Sequence, residues 1–537
     1  MALQPRFASG TITFLASDVV GTKRVFATPF APVAVVAFTS GIDALGSTSS
    51  TRHLRHSFGF ALGPSGMRAV GGRLEDATAA EVSATGVVIN QLVITVPAGG
   101  ASVDGAIGVN AFANGVELIV NTQLPVDLLI ELLVIGGDGI QADVRTVTLP
   151  NGGSLTVTGV PFAPDTVINV GAGGTVALPD GGTSLLNSFG VATRHPIHGI
   201  TQFTTHLCGV NGSNPIDTGH YRYEDEFWSR CANTASVNSR YRVTAFTSDG
   251  CVITHLESAG FSQEIPLLFL KGVTGRVVSV TTQTDLTTSA IASASFEPGA
   301  VVVVGSVDSA QTQDIEAANS AFSVGFATRD DARQNAQGFM ARDNVTPAEV
   351  YLASLAANEG VFMRMLSSGA IEAKMKVVAW KPTSVEFIMT DADSVGTGVT
   401  VLLLESPAEV FIQEEDSMPL NRRTMFIAVG TSGLSSDNSP SFDETARRPG
   451  LGAALIVRNL TGSAPSITGK IQHSPDPNSV SDASANWIDL MTFTAQTANG
   501  ANTQVLSAAT PYFPRLRAQV TRGGTSVTNL DYEVVIA

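Results

Sequence analysis

Apolar and polar residues alternate in short runs along most of this chain, and the runs return in a fixed order. TITFLASDVVGTKRVFA near the start and VRTVTLPNGGSLTVTGV further on alternate with the two-residue period of strands that wet one face. An aromatic–proline step follows, and then a continuous apolar run: AVVAF, TVINV or AVVVVG. Runs this short suit strands buried on both faces or lying at a sandwich core. Next comes a strand with a glycine among aromatic or branched residues (Gly59 in SFGFA, Gly190 in SFGVA, Gly325 in SVGFAT), and then a variable polar middle. A strand pair follows (VNAFANGVELIV, VTAFTSDGCVITHL, VVAWKPTSVEFIMT), closed by ELLVIGG, PLLFLKG or VTVLLLE. Asn114-Gly115 and Asp249-Gly250 are two-residue hairpin signals, whereas Lys381-Pro382-Thr383-Ser384 calls for a wider turn.

The spacing of these landmarks is nearly constant. Phe30, Phe162 and Phe296 are 132 and then 134 residues apart, and the aromatics Phe112, Phe246 and Trp380 are 134 and 134 apart. Four landmarks in one order at one spacing indicate an internal triplication. The reading is all-β: three tandem related β-sandwiches of jelly-roll or immunoglobulin-like type, then a fourth, different β-sandwich. The expected boundaries are 1–138, 139–273 and 274–406 for the repeats, 407–420 for a linker and 421–537 for the last domain. Only Thr346-Pro347-Ala348-Glu349-Val350, a capping residue before a proline, suggests a short helix. Proline fixes its φ and donates no ladder hydrogen bond. PFAP and its echo FEP therefore read as structural corners at strand entry, with Phe30, Phe162 and Phe296 folded inward beside Pro32, Pro164 and Pro298.

Composition narrows the function classes. Of 537 residues 44% are hydrophobic and 15% charged, and the net charge of −16 comes without any Lys/Arg-rich block, which argues against nucleic acid as a partner. Three cysteines, Cys208, Cys231 and Cys251, are too few for a disulfide scaffold. The first residues lack an apolar core behind a basic leader, and LPVDLLIELLVIGG, cut by Asp127 and Glu131, is too short to cross a bilayer. The expectation is a soluble protein made in a cytoplasm without membrane insertion.

The copies resemble a repeat found in structural proteins of tailed bacteriophages, on PFAPVAVVAF, SFGFA, NAFANGVEL and LLVIGG in copy one and FEPGAVVVVG, SVGFAT and VTVLLLE in copy three. The last unit resembles a separate phage head- or tail-associated β-sandwich module. That pattern is matched by Gln472, Ser474, Pro475, Asp476, Trp487, Asp489, Phe493, Arg515, Arg517, Gly523, Gly524 and Thr525. The resemblance implies a virion structural protein: capsid decoration, or a tail fibre or baseplate appendage. Its partners would be other virion proteins and further copies of itself, and no catalytic residues or cofactors are implied.

Copy two carries most of the reactive side chains. His195, His198, His206 and Cys208 are the weak candidates for a metal site, since zinc takes such ligands, but their spacing matches no finger and no CxxC occurs. The expectation is no metal, with buried thiols and surface histidines. HYRYEDEFWSR gathers Tyr221, Tyr223, Glu224, Phe227 and Trp228. It reads either as half-buried strand residues with the acids outward, or as an aromatic loop touching a partner or a host surface glycan. Glu414-Glu415-Asp416 reads as a solvated linker. No catalytic constellation emerges.

Overall fold

The computed structural model describes residues 5–406 apart from 99–101, 173–179, 183–184, 216, 234–235, 258–262, 307–314, 318–319 and 367. Beyond 422 it describes chiefly the strands given below. The chain divides into two compact units, Met1–Ala408 and Glu409–Ala537.

The first unit contains one eleven-strand pattern three times. Copy one has β1 (Arg6–Phe14), β2 (Lys23–Ala27), β3 (Pro32–Thr39), β4 (Thr48–Ser49), β5 (Leu54–Ala61), β6 (Met67–Leu74), β7 (Ser83–Ile89), β8 (Val93–Thr95), β9 (Gly105–Phe112), β10 (Gly115–Thr122) and β11 (Leu128–Gly136). Copy two repeats it as β12 (Gln141–Leu149), β13 (Ser154–Val157), β14 (Thr166–Ala172), β15 (Asp180–Gly182), β16 (Leu185–His195), β17 (Gly199–Gly209), β18 (Thr218–Glu224), β19 (Trp228–Asn233), β20 (Ser236–Thr247), β21 (Gly250–Glu257) and β22 (Gln263–Lys271). Copy three has β23 (Gly275–Thr281), β24 (Ala290–Ser293), β25 (Pro298–Ser306), β26 (Ile315–Ala317), β27 (Ser320–Thr328), β28 (Gln334–Ala341), β29 (Val350–Ser354), β30 (Phe362–Met365), β31 (Ile371–Lys381), β32 (Ser384–Asp391) and β33 (Gly398–Glu405).

In every copy the strands form two antiparallel sheets, a four-stranded one (β2-β10-β9-β8 in copy one) and a seven-stranded one. Six strands of the larger sheet are the copy's own, in the order β1-β11-β3-β5-β6-β7 in copy one. The seventh is borrowed. β15 of copy two pairs with β7 of copy one, β26 of copy three with β18 of copy two, and β4 of copy one with β29 of copy three. The exchange is cyclic and closes on itself.

Alternation along the large-sheet strands explains why this closure buries so much. In β11 Leu128, Ile130, Leu132 and Val134 face copy one's own small sheet, while Leu129, Leu133 and Ile135 face away from it. The outward residues of all three copies, among them Phe38, Phe58, Phe189, Phe203, Phe322 and Phe339, form one cluster. Phe58 stacks on Phe189 at 5.1 Å and meets the edge of Phe322 at 5.8 Å. Each copy thus fills a core of its own and shares a further one with its neighbours. Apolar runs such as AVVAF are buried on both faces for this reason.

The copies also repeat their irregularities. Asn90, Asp225 and Asn358, at φ of 66°, 62° and 63°, turn the chain from large sheet to small, and each backbone N–H is held by the carbonyl of Met67, Gln202 or Gln334. Gly59, Gly190 and Gly325 lie where the small sheet comes closest: a Cβ there would collide with the backbone carbonyl of Leu92, Phe227 or Val361. Phe30, Phe162 and Phe296 are 9%, 6% and 7% exposed and pack into the three separate sandwich cores. Pro32 and Pro298 open β3 and β25, and Pro164 stands two residues before β14.

The short helix expected at Thr346–Val350 is absent. Thr346-Pro347 is a cis peptide in a loop whose Ala348 N–H donates to Thr78 of copy one, and strand β29 begins at Val350. That loop is tied to a neighbouring copy instead of coiling on itself. No helix occurs among the described residues.

The second unit comprises β34 (Arg423–Met425), β35 (Ser436–Asn438), β36 (Phe442–Asp443), β37 (Gly452–Ser463), β38 (Ser466–Ser474), β39 (Ile488–Thr492), β40 (Gly500–Val505), β41 (Arg515–Gly523) and β42 (Ser526–Ile536). They form two antiparallel sheets, β34-β42-β37-β40 and β35-β41-β38-β39, with β36 also on β41. Asp489 accepts from Gln472 Nε2 at 2.7 Å and from Lys470 Nζ at 2.6 Å, which ties β39 to β38. Glu414, Glu415, Asp416, Pro475, Asp476, Trp487, Gly524 and Thr525 lie outside the described residues.

Candidate functional site

The aromatic stretch of copy two is interior, which corrects the reading of it as an exposed contact loop. Tyr221 and Tyr223 are 1% and 4% exposed, Phe227 and Trp228 are fully buried, and Glu224 is half-buried. Trp228 meets Tyr241 edge-on at 5.4 Å, and the Tyr241 hydroxyl donates to the Pro150 carbonyl at 2.8 Å. Arg240 covers the ring of Tyr223 and pairs with Glu226 at 2.9 Å. The physical reason is volume. At the position of Trp228 copy one has Val93 and copy three Phe362, each paired across the ladder with Tyr241, Ile107 or Met375. The large rings need space opposite: a Cβ on Gly171 would lie 2.8 Å from Trp228 Nε1, and one on Gly305 would overlap the Phe362 ring. Where copy one has the smaller Val93, the corresponding residue is Thr39.

The histidines do not meet as one group. His195 stacks on His198 at 5.2 Å and meets Phe296 of copy three with rings tilted at 4.8 Å, while His198 Nε2 lies 2.8 Å from the Ala294 carbonyl. Both belong to the seam between copies two and three. Burial lowers the His195 pKa, the Glu405 carboxylate opposes this, and the charges of His198 and Arg276 reinforce it. His206 and Cys208 are buried inside copy two, and Cys251 is buried with its thiol pushed up to about 12 by desolvation. The expected surface histidines are therefore mostly internal. Among the described residues no group of three or more His, Cys, Asp or Glu is placed to hold a metal.

What the fold brings together are the seams. Each is keyed by a different buried polar side chain on the shared side of a large sheet. Asn187 Nδ2 of copy two donates to His56 Nε2 of copy one across 2.6 Å. Arg222 Nη1 of copy two donates to the Gly398 carbonyl of copy three at 2.7 Å. Gln337 of copy three donates to the Leu129 carbonyl and accepts from the Ser40 N–H and hydroxyl of copy one. A buried polar group left unmatched costs free energy. Three distinct keys therefore favour one cyclic order of three similar copies over shuffled pairings.

At one end of the unit the three equivalent loops 75–82, 210–217 and 342–349 interlock as a cap. Glu81 N–H donates to Ser213 O, and Gly212 N–H donates back to Glu81 O. Ala77 N–H donates to Ala348 O, and Ala348 N–H to Thr78 O. Thr218 N–H donates to Asp343 Oδ1 at 3.0 Å, and Thr346 Oγ1 to Asn214 Oδ1 at 3.0 Å. A cleft of about 340 Å³ between the second and third loops is lined by Ser213, Asn214, Pro215, Asp217, Asp343 and Asn344. Glu81 is 1% exposed and accepts from Asp217 N–H; burial pushes its carboxyl up to about 8 despite that hydrogen bond. Burial also raises Asp343, against the Thr218 N–H and with the Asp217 charge beside it.

No family model, curated protein or solved structure matches this chain. The reading of its role therefore rests on the residues and their arrangement.

The cap and the seams escaped the sequence reading. Their side chains are scattered, and β4 and β15 span two and three residues. A signal was present in the pair Asn214-Pro215 and Thr346-Pro347, 132 residues apart, which repeats the internal period.

Proposed function

We propose that this chain is a non-enzymatic structural component of a tailed-phage virion, an accessory protein exposed on the particle as a head decoration or a tail fibre or baseplate appendage. One observation carries the reading: three copies of one sandwich are closed into a ring by exchanged strands and a shared core. The conspicuous buried polar groups, His56, Asn187, Arg222 and Gln337, are spent on joining copies to each other. A body so cross-braced is suited to bearing contacts with neighbouring proteins while losing little freedom on binding. The resemblance of the copies and of the end module to phage structural repeats supports the same class. Its partners on this reading are other virion proteins, and self-association would run through surfaces outside the ring. Binding of a host glycan through Trp228 and its neighbours loses its basis, because those rings fill a core.

The test is direct. Purified particles carrying a C-terminal epitope tag on this chain should bind gold-labelled antibody at defined places. Tagged protein recovered only in the soluble lysate, with bare particles, would end the proposal.

A further inference from the structure

The first residues of three equivalent strands, Ser83 of β7, Thr218 of β18 and Val350 of β29, are each held by a side chain of a different copy. Ser83 N–H donates to Asn211 Oδ1 of copy two at 3.1 Å, and Thr218 N–H to Asp343 Oδ1 of copy three at 3.0 Å. Val350 N–H donates to Asp76 Oδ1 of copy one at 3.0 Å. Asp76, Asn211 and Asp343 stand seven residues before Ser83, Thr218 and Val350 in turn, so one position serves in all three copies. The bonds run one way around the ring, and each strand start is satisfied from outside its own copy.

One of the three starts carries more than the others. Asp217 N–H, next to Thr218, donates to Glu81 Oε2 of copy one at 3.0 Å. Two successive amides of copy two are thus taken by carboxyls of copies one and three, and Asp217 brings a third carboxyl to the same junction. At its position copy one has Val82, and copy three has Glu349, which pairs with Arg342. Glu75 pairs with Arg73 at 2.5 Å, and Asp76 lies between Val350 N–H and His53, whose Nδ1 accepts from Asp76 N–H at 3.0 Å. Among the described residues the charge that acts on both Glu81 and Asp343 is Asp217, of their own sign. Burial raises Glu81 to about 8; the Asp217 N–H and the Ser83 hydroxyl oppose this, the Asp217 charge adds to it, and the Val210 N–H opposes it.

We infer that this junction is a proton-dependent latch between copies: Glu81 holds the strand start of copy two while it keeps its proton, and the hold weakens once it ionises beside Asp217. A carboxylic acid accepts the Asp217 N–H through its carbonyl oxygen without adding charge. A carboxylate there would be buried against a like charge, and opening loops 75–82 and 210–217 to water relieves it. In the opened cap Glu81 titrates near its ordinary 4.5. Opening is therefore rarest below about pH 4.5 and grows by up to about tenfold per pH unit until about 8. The latch belongs to the ring itself; it goes beyond the virion reading and does not depend on it.

Hydrogen exchange of the full chain, read by mass spectrometry and corrected for the intrinsic pH dependence of exchange, tests it. Peptides holding the Glu81, Gly212 and Asp217 amides should lose protection at least about tenfold between pH 5.5 and 7.5, relative to peptides from β5, β16 and β27. Glu81→Gln keeps the acceptor and cannot ionise, so it should abolish that loss. Glu131→Gln, in the shared core, should leave the loss as it is in the parent. Equal relative protection at both pH values in the parent protein would overturn the inference without recourse to any variant. So would a loss that persists in Glu81→Gln, or one that disappears in Glu131→Gln.

Discussion

His56 of copy one and Asn187 of copy two face each other across 2.6 Å within a core that the three copies share. These two occupy corresponding places in β5 and β16, two residues before Phe58 and Phe189. The amide donates, so the imidazole accepts at Nε2 and is neutral. Phe339 of copy three lies against the other side of the ring, with centroids 5.6 Å apart. One side chain thus touches all three copies, and its protonation state is tied to the closure of the ring.

Acid should therefore loosen the first unit. Burial holds His56, His206 and His220 down at about 3, whereas an unfolded histidine titrates near 6.5. The folded state stays neutral where the unfolded state takes protons. The stabilising contribution is complete above about pH 6.5 and is lost as pH falls from there towards 3. Urea midpoints measured from pH 7.5 to 4.5 should fall, and His56→Gln should flatten the dependence by about one third of these three histidines' share. Equal slopes for the two proteins would refute the assignment.

Glu131 pulls the other way. It lies fully buried on the shared face of β11, both carboxylate oxygens lack a hydrogen-bond partner among the described residues, and burial raises its pKa well above the usual carboxylate range. The folded state keeps a proton that the unfolded state releases, so this contribution is present below about pH 4.5 and is lost as pH rises. Copies two and three have Pro266 and Thr400 at this position. Glu131→Gln should be more stable than the parent at pH 8, with the gain shrinking towards pH 4.5. A pH-independent difference would count against it.

Glycines 59, 190 and 325 should be irreplaceable. A methyl at any of them enters the carbonyl of the facing strand, backbone to backbone, and neither partner has a rotamer to change. Alanine at each is expected to cost about 3 kcal/mol, the upper end for overpacking, because the clash is with backbone. Thermal melts of the three single variants should show similar losses, and a variant melting within a degree or two of the parent would show that the two sheets can part there.

Trp228→Ala should remove stability rather than binding. Loss of a buried tryptophan costs about 3–5 kcal/mol. Gly171→Ala should weaken the same core from the opposite side by crowding the indole. If Trp228→Ala melted like the parent, the side chain would not fill the core of copy two.

The closed ring gives a fragment prediction. Residues 1–408 should unfold as one cooperative body, whereas 139–408 lacks both β4, which completes copy three, and β7, the partner of β15. Differential scanning calorimetry should find a sharp transition for the first fragment and a broad or absent one for the second. Equally sharp transitions would mean that the copies are energetically independent.

Much of this architecture was legible in the chain. The period of 131 to 135 residues marks equivalent positions, because corners, turns and the close approach of two sheets each demand a particular residue: Phe30 and its relatives to plug a core, Gly59 and its relatives to admit a carbonyl. The apolar run AVVAF pointed to burial on both faces or to a place at a sandwich core. It did not say what covers the second face, since β5, β16 and β27 read alike whether they face water, a partner or each other. The aromatic stretch around Trp228 was misleading for a related reason. Density of rings in one copy looks like an added function until Gly171 is seen making space for the indole. The seams were silent because His56, Arg222 and Gln337 acquire meaning only from residues a hundred or more positions away.

The borrowed strand β4 sets an order of events during synthesis. Thr48 and Ser49 leave the ribosome about 300 residues before the β29 edge they complete. Until then the first copy carries a finished donor with nowhere to go, and its large sheet waits for β15. The nascent chain is thus a zipper whose pull comes last, exposed to grasping hands from other ribosomes on the same message. Growth conditions that slow translation between copies two and three would lengthen that exposure and favour tangles between chains over the closed monomer.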